Sequence, residues 1–578
     1  MPVHPTADDR PQLGRRLLLL GGANLALAGA VTHALLRIQV REQSAHTADA
    51  VLQLRADNLL NPRRGDIIDA RAKPMAVTRV VDRLIISPAV LSESGLQAML
   101  EFVASHTGIA LHQLRHRVRD RLSQYTVLAE DVDPVRTAPI QKAIRAGQAG
   151  GLQIESRHNR RYPSGPLAAH LLGFTDASNS GRSGVESFYD LQLRGRPGRV
   201  IADRDPLGRS IPVGREIVTA AEPGSTVRLT LDRRVQLKVE GILQRSLAKY
   251  ESAHGTILVL DPRDGAVLAM ASQPTFDPDR MHEYAEIGPQ FLNPAVQLVW
   301  EPGSTFKLIT MAAGLDSGTI TTASTHSFPG EIEYGGLQIA NWDQKTYPNQ
   351  SMTSLLRHSS NTGAVWIADQ MGPEKFYGYL RNFGIGEPTG VDLAGEVGGI
   401  VRYYRDPGWY PGDLAANSFG QGLAITPLQA AMCYAAIANG GLLLRPRTVA
   451  ALIDPAGRVT PNPPVVRRRA ITAATAGRMV AMMRDAERSV PNNPALSPWF
   501  DTAGKTATTE VPINSGYSED SSIPSYAGFG PTRDPRALVL VKIDAPAKGR
   551  WAHEVASPVF REVVEAIFPL LGIPASDG

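Results

Sequence analysis

The chain has 578 residues, 43% of them hydrophobic and 20% charged, which excludes a wholly disordered chain and a polytopic membrane protein. At about 150 residues per domain the length implies roughly four units, more than one ordinary core. With 60 Lys and Arg against 56 Asp and Glu, the net charge of +4 is nearly balanced and is weak evidence for nucleic acid, and the single cysteine, Cys433, excludes an intramolecular disulfide framework or a cysteine-rich metal site.

One segment departs from these averages. Leu17 to Leu36 carries no charged residue, is about long enough to span a bilayer, and follows Arg15 and Arg16. A basic head before an apolar run of this length predicts an uncleaved signal-anchor. Ala26-Leu27-Ala28 supplies a small-residue cleavage site, so a cleaved signal peptide is the alternative. Arg10, Arg15 and Arg16 precede the span but Arg37 and Arg41 follow it, so the positive-inside bias is not clean. A long C-terminal part is translocated largely regardless of such charges.

Beyond the anchor, residues up to about 225 read as a mixed, loop-rich domain. Asn61 to Asp66 is a turn signal leading into the strand-like Asp66-Ile67-Ile68. Glu93 to Leu122 has helical spacing and would place His112 and His116 on one face. With no third ligand nearby, a solvated basic face is the reading preferred over a zinc pair. Arg157, Arg160 and Arg161 are expected in a solvated loop.

A new pattern starts near Gly224. Thr256 to Leu260 is a buried strand by composition, Asp261 to Gly265 a turn, and Ala266 to Met270 a returning strand. Ser304 to Leu315 and Pro427 to Asn439 are helical runs, whereas Tyr526 to Phe529 and Ala537 to Ile543 are strand-like. Strands at both ends with helices between predict one sheet whose edges come from distant sequence, with helices packed on it. Pro461 to Pro464 and Pro491 to Pro498 read as surface loops.

Glu301-Pro302-Gly303-Ser304-Thr305-Phe306-Lys307 carries the chemistry. Pro and Gly suit a turn into a helix, on which Ser304 and Lys307 are neighbours on one face. Ser304 at a helix N-terminus meets free N–H groups that favour developing negative charge. A serine hydroxyl attacks only when a base takes its proton, and Lys307 serves if burial or a nearby cation lowers its pKa. Alone, the pair reads equally as a capping serine and an exposed lysine. Ser359-Ser360-Asn361 and then Lys505-Thr506-Ala507-Thr508 follow in order. Each has a bland reading, a helix cap and a surface strand, but the ordered trio matches the S-x-x-K, S-D-N, K-T-G signature of penicillin-binding proteins and serine β-lactamases.

The resemblance extends beyond the trio. Glu301 to Lys307 resembles the EPGSTFK block of class B penicillin-binding proteins. Ser418 to Gly422 with Thr426 to Gln429 is similar to a further block of their transpeptidase domain. Arg64 to Asp69, Tyr162 to Gly165, Ala169 to Phe174 and Gly181 to Glu186 resemble blocks of their N-terminal domain. The YPSG and HLLGFTD details look closer to the septal, cell-division type than to the elongation type.

This resemblance implies an α/β (α+β layered) transpeptidase fold, an antiparallel sheet flanked by helices, after a mixed pedestal domain and one transmembrane helix. The expected parts are a cytoplasmic tail over 1–16, the anchor over 17–36, the pedestal over 37–225, the transpeptidase domain over 226–570 and a tail over 571–578. It implies a peptidoglycan D,D-transpeptidase of the cell (inner) membrane, with its catalytic domain extracytoplasmic. Ser304 would attack the carbonyl between the terminal D-alanines of a stem peptide and Lys307 would take its proton. Ser359 would relay a proton to the leaving amine, and Asn361 would hold the substrate amide and Lys307. Lys505 and Thr506 would bind the terminal carboxylate, Lys505 also helping to keep Lys307 neutral. Backbone N–H groups of Ser304 and Thr508 would form the oxyanion hole. β-Lactams would acylate Ser304; neither metal nor cofactor is implied. Glycan strands derived from lipid II and a SEDS-family glycosyltransferase are the implied companions.

Three departures stand out. Ala507 replaces the family glycine at the end of the third element, where substrate passes close to the strand, which predicts altered turnover or weaker penicillin binding with the catalytic groups retained. Asp69 is followed by Ala70-Arg71-Ala72 where the family usually has Arg-Asn-Gly, and Trp551 to Glu554 replaces a Gly-rich turn. Two other readings use the same residues: a D,D-carboxypeptidase or β-lactamase-type hydrolase, which the lack of an E-x-x-L-N string between Asn361 and Lys505 disfavours, and a non-catalytic scaffold or β-lactam sensor, motivated by Ala507 alone.

Overall fold

A computed structural model describes residues 10–37, 55–204, 210–284, 288–513 and 516–576. Residues 1–9 of the expected tail, Arg41, and the last two residues lie outside the described residues. The chain forms two units, Met1–Pro62 with Arg196–Glu222, and Arg63–Gly195 with Pro223–Gly578.

The first unit contains helix α1 (Arg10–Leu36), which includes the predicted span. Its Leu19–Leu36 stretch has mean hydropathy 1.5 and is wholly unburied. At about 1.5 Å per residue this stretch reaches roughly 27 Å, close to the hydrocarbon thickness of a bilayer. By length and composition it can cross a membrane. The same unit holds a three-stranded antiparallel sheet in which Gly198–Arg204 lies between Arg55–Leu60 and Ser210–Thr219.

In the second unit, the two-residue strand Ile67–Ile68 pairs antiparallel with Pro74–Ile86 and parallel with Thr226–Leu229. The resulting seven-stranded sheet also takes in Thr126–Val132, Leu152–Arg161, Val449–Ile453 and Val459–Pro461. Strands from before and after residue 225 thus share one sheet. The helical spacing seen from Glu93 to Leu122 resolves into two helices, Glu93–Thr107 and Leu111–Arg117. Gly108, at φ +74°, ends the first. His112 and His116 are exposed on the second.

The expectation of a solvated loop at Arg157, Arg160 and Arg161 is overturned. All three lie on the strand Leu152–Arg161. Arg160 is buried, with Nε 2.6 Å from Glu186 Oε1. Glu186 Oε2 is 2.6 Å from Arg64 Nη2, and Arg64 Nη1 is 2.6 Å from Asp190 Oδ1. The reason is charge pairing: a buried carboxylate between two guanidinium groups is satisfied where an isolated one is not.

The site is built on a five-stranded sheet. Helix α2 (Arg233–Tyr250) precedes strands β1 (His254–Leu260) and β2 (Val267–Gln273). The helical region follows, with α3 (Lys307–Asp316), α4 (Met352–His358), α5 (Asn361–Met371), α6 (Pro427–Ala438) and α7 (Ala473–Arg488). The chain returns through β3 (Ala503–Ile513), β4 (Gly516–Gly530), β5 (Ala537–Asp544) and α8 (Ala556–Ile567). The order is β2-β1-β5-β4-β3, antiparallel throughout. Both edges come from distant sequence, as predicted.

β1 reads as an unbroken apolar run because both its faces are covered. Ile257 and Val259 join Val235, Val239, Ile242 and Leu243 of α2 and Phe560 and Val563 of α8 in one core. Leu258 and Leu260 join the other, with α3 and α6. All twelve residues of α6 are buried, as befits a helix apolar on every side. Thr426 and Gln429 close its N-terminus as a capping box.

Candidate active site

The turn before α3 is set by Gly303, whose φ is +54°. A Cβ there would meet Thr509 Oγ1 at 2.4 Å, so both conformation and space require glycine. Ser304 follows in a 3₁₀ turn over Gly303–Phe306, and α3 begins at Lys307. Tyr434 of α6 donates to Thr305 Oγ1 at 2.7 Å and ties this turn to the core.

Lys307 is 1% exposed, which dismisses the exposed-lysine reading. Its Nζ lies 2.9 Å from Ser304 Oγ, 2.5 Å from Ser359 O, 3.2 Å from Ser359 Oγ and 2.7 Å from Asn361 Oδ1. Burial, and then the charge of Lys505, hold its pKa well below that of an ordinary lysine.

The second element joins two helices. Ser359, at φ +56°, terminates α4, and Ser360 caps α5 by accepting from Gly363 N at 3.0 Å. The cap reading therefore holds for Ser360, while its neighbours Ser359 and Asn361 face Lys307. Asn361 Nδ2 donates to Ala340 O at 2.8 Å, which turns Oδ1 toward Lys307. Asn341 secures the turn: its Oδ1 accepts from Ser360 Oγ and from Asn361 N, both at 2.9 Å.

The third element lies on β3, the open edge of the sheet. Lys505 is 7% exposed and donates to Thr506 O at 3.0 Å. Burial pulls its pKa down to about 8, against the opposing charge of Glu487. Thr508 stands opposite Pro524 of β4. Proline has no N–H to give, so these two form a non-hydrogen-bonded pair, and Thr508 N–H points away from β4, off the open edge. Thr508 Oγ1 accepts from Ala552 N at 2.9 Å. Ala507 is 2% exposed, and its methyl would lie 3.6 Å from a Cβ on Gly303. The β3–β4 register runs unshifted from Ala503 to Glu510, so Ala507 does not dislocate the strand.

Ser304, Ser359, Asn361, Lys505, Thr506, Ala507 and Thr508 line one cleft of about 430 Å³. Lys307, buried behind it, is reached through Ser304. Sequence reasoning missed Asn341, Trp342 and Glu487. Trp342, 62% exposed, meets Trp551 edge-to-face at 5.7 Å at the cleft, and Glu487 lines it from α7. Neither Asn341 nor Glu487 sits in a motif; their roles arise from chain segments that meet only on folding. Cys433 is buried in α6, and burial pushes its thiol up to about 12.

Comparison with known proteins assigns both regions of the chain to one family. Residues 255–565 match the penicillin binding protein transpeptidase domain, and 59–229 match the penicillin-binding protein dimerisation domain. The chain is 30% identical to penicillin-binding protein PbpB of Mycobacterium tuberculosis, over 93% of this chain and 82% of that protein. It is 28% identical to the peptidoglycan D,D-transpeptidase FtsI of Escherichia coli, over 88% of this chain and 84% of that one. Its fold matches the crystal structure of penicillin binding protein 3 from Mycobacterium tuberculosis complexed with aztreonam, with a TM-score of 0.69 and 26% identity, over 90% of this chain and 98% of the other. With the transpeptidase match covering more than half its length and a 30%-identical relative aligned along nearly all of it, the chain belongs to the penicillin-binding protein transpeptidase family, as a class B member.

Proposed function

We propose that this chain cross-links peptidoglycan stem peptides as a membrane-anchored D,D-transpeptidase, with Ser304 as the acylated nucleophile. The observation that carries the reading is the set of oxygens around Lys307 Nζ. Ser359 O and Asn361 Oδ1 can only accept, so they take both N–H bonds of a neutral amine. The lone pair is left for the Ser304 hydroxyl, 2.9 Å away. Burial and Lys505 favour the neutral form.

In this mechanism Lys307 takes the Ser304 proton as Oγ attacks the carbonyl between the terminal D-alanines. The oxyanion faces the N–H groups of Ser304, in the first turn before α3, and of Thr508, on the open strand edge. Preorganised donors of this kind are usually the largest single contribution to acyl transfer. Ser359 Oγ, 3.2 Å from Lys307 Nζ, passes the proton to the leaving D-alanine amine. Asn361 holds Lys307 and the substrate amide. Lys505 and Thr506 hold the terminal carboxylate, and Ala507 borders it. An amine of a second stem peptide then attacks the acyl-enzyme, loses its proton to the same base, and releases Ser304.

Residues 37–225 serve as the pedestal and 226–570 as the transpeptidase domain, held outside the cytoplasm by an anchor over 17–36 in the inner membrane. The motifs of septal type support action at division. The donor strands derive from lipid II, and a SEDS-family glycosyltransferase is the companion that supplies them; β-lactams inhibit by acylating Ser304. Incubation of the full-length protein with a pentapeptide donor, with and without an acceptor amine, tests the reaction class. The expected product with acceptor is the transferred peptide. Release of free acid at the same rate with and without acceptor would instead establish a hydrolase.

A further inference from the structure

One cation in the cleft has no place in the reaction just described. Arg357, in the last turn of α4 and two residues before Ser359, is exposed and lines the cleft. An arginine at a helix C-terminus ordinarily serves the last carbonyls or a nearby carboxylate. Arg357 does neither: it forms no hydrogen bond or ion pair among the described residues. Lys505 and Glu487 are the other Lys, Arg, Asp or Glu side chains of the cleft wall, and both are committed. Lys505 donates to Thr506 O and, in the proposed mechanism, holds the terminal carboxylate of the donor. Glu487 is buried and accepts from the Tyr526 hydroxyl.

The wall beside Arg357 is held in place by a chain of contacts that leads to β3. Trp342 is 62% exposed, yet its ring is fixed twice over. Its Nε1 donates to His358 O at 3.2 Å, and the ring meets Trp551 edge-to-face at 5.7 Å. His358 stacks on Tyr347, with ring centroids 4.2 Å apart, and Tyr347 donates to Asp343 Oδ2 at 2.6 Å. Trp551 precedes Ala552, whose N–H donates to Thr508 Oγ1 at 2.9 Å. These contacts bridge the cleft from Thr508 to the end of α4 that carries Arg357. A donor with its terminal carboxylate at Lys505 and Thr506, and its reacting carbonyl at the Thr508 N–H, runs along β3 from Thr506 past Thr508. Its preceding residues therefore pass between Trp551 and the Arg357 wall. A carboxylate on those residues is the group a planar guanidinium binds best, through two parallel N–H bonds.

We propose that Arg357 is a specificity-determining residue that reads a free carboxylate on the part of the donor stem peptide preceding the two terminal D-alanines. Two positions of such a peptide can bring that group. One is the side chain of the third residue, where this is a diamino dicarboxylic acid. The other is the α-carboxylate of a γ-linked D-glutamate at the second. The inference rests on the transpeptidase reading and names the donor it prefers, the free acid over the amidated form.

Binding tests it without turnover. Full-length protein in detergent carrying Ser304→Ala, or Ser304→Ala with Arg357→Gln, is titrated by calorimetry at neutral pH with synthetic pentapeptides ending in D-Ala-D-Ala. The peptides have both upstream carboxylates free, only the third-residue one amidated, only the second-residue one amidated, or both amidated. Ser304→Ala is expected to bind the free-acid peptide roughly three- to tenfold more tightly than the doubly amidated one, the effect of a charge-assisted bond at a solvent-accessible site. Adding Arg357→Gln is expected to abolish that difference. The singly amidated peptides then show which carboxylate is read. Equal binding of all the peptides by Ser304→Ala, binding of none, or a preference that survives Arg357→Gln overturns the proposal. A preference that depends on Arg357, in a chain whose native Ser304 is never acylated by the free-acid peptide, overturns the transpeptidase reading and leaves the carboxylate site established.

Discussion

Four oxygens surround Lys307 Nζ, and its protonation state decides which of them it can serve. Below its depressed pKa the nitrogen is an ammonium and cannot accept a proton, so on the proposed mechanism acylation is expected to fall as pH falls. Above about 8, Lys505 loses its charge, and with it, on the proposed mechanism, a hold on the substrate carboxylate, so acylation is expected to fall again. Lys505→Ala removes the cation that helps hold Lys307 down, so the acid limb of the penicillin acylation profile is expected to move to higher pH. A limb that stays in place contradicts the coupling. Lys307→Ala is expected to slow acylation by about 10²–10⁴-fold, the usual worth of a positioned base. Ala507→Gly is expected to speed it by roughly tenfold or less, the effect of one methyl in a fitted site, as read by the same assay. Ser304, Lys307, Ser359, Asn361 and Lys505 were legible as residues because their order along the chain is distinctive. Asn341 was not legible, since an asparagine in a loop acquires its role only when Ser360 and Asn361 fold against it.

Turns and strands differ in how much they reveal before folding. Pro302-Gly303 announced a turn into a helix, and Gly303 has the positive φ that such a turn demands. The Asp69 turn departs from that rule. Its carboxylate accepts from Arg71 N at 2.8 Å and Lys73 N at 2.7 Å, and Ala72 sits at φ +61° where the family usually has glycine. An L-residue in that conformation costs about 1 kcal/mol or more. Ala72→Gly is therefore expected to stabilise the protein by about 1 kcal/mol, visible as a raised Tm, whereas an unchanged or lowered Tm would refute the strain. The apolar run over Thr256 to Leu260 identified a strand but not which residue faced which core, because both faces are buried and no alternation survives. The helical spacing from Glu93 to Leu122 concealed its own break, since Gly108 interrupts the backbone without disturbing the apolar stripe of Leu96, Leu100, Val103 and Leu114.

Across the whole molecule, residues far apart in sequence complete one another. Arg64 and Glu186 belong to separate blocks of the N-terminal region, yet they meet with Arg160 in one buried cluster. Glu186→Ala leaves two buried guanidinium groups without their carboxylate, with an expected loss of about 3–5 kcal/mol, measured by denaturant unfolding of the full-length protein; a loss near zero would contradict the pairing. The sequence showed three arginines and no partner, and therefore suggested a solvated loop. The sheet joining Ile67–Ile68 to Thr226–Leu229 was equally hidden, because a two-residue strand carries almost no periodic signal. What was legible at this scale was the order of an apolar N-terminal helix, a dimerisation-domain region and a transpeptidase-domain region, whose motifs are local. The central claim is that these parts present Ser304 as an activated nucleophile, and mass spectrometry of the penicillin-treated full-length protein tests it most directly. The account predicts one covalent adduct, on the peptide containing Ser304, that is lost in Ser304→Ala. An unmodified protein, or an adduct that persists in Ser304→Ala, would contradict it.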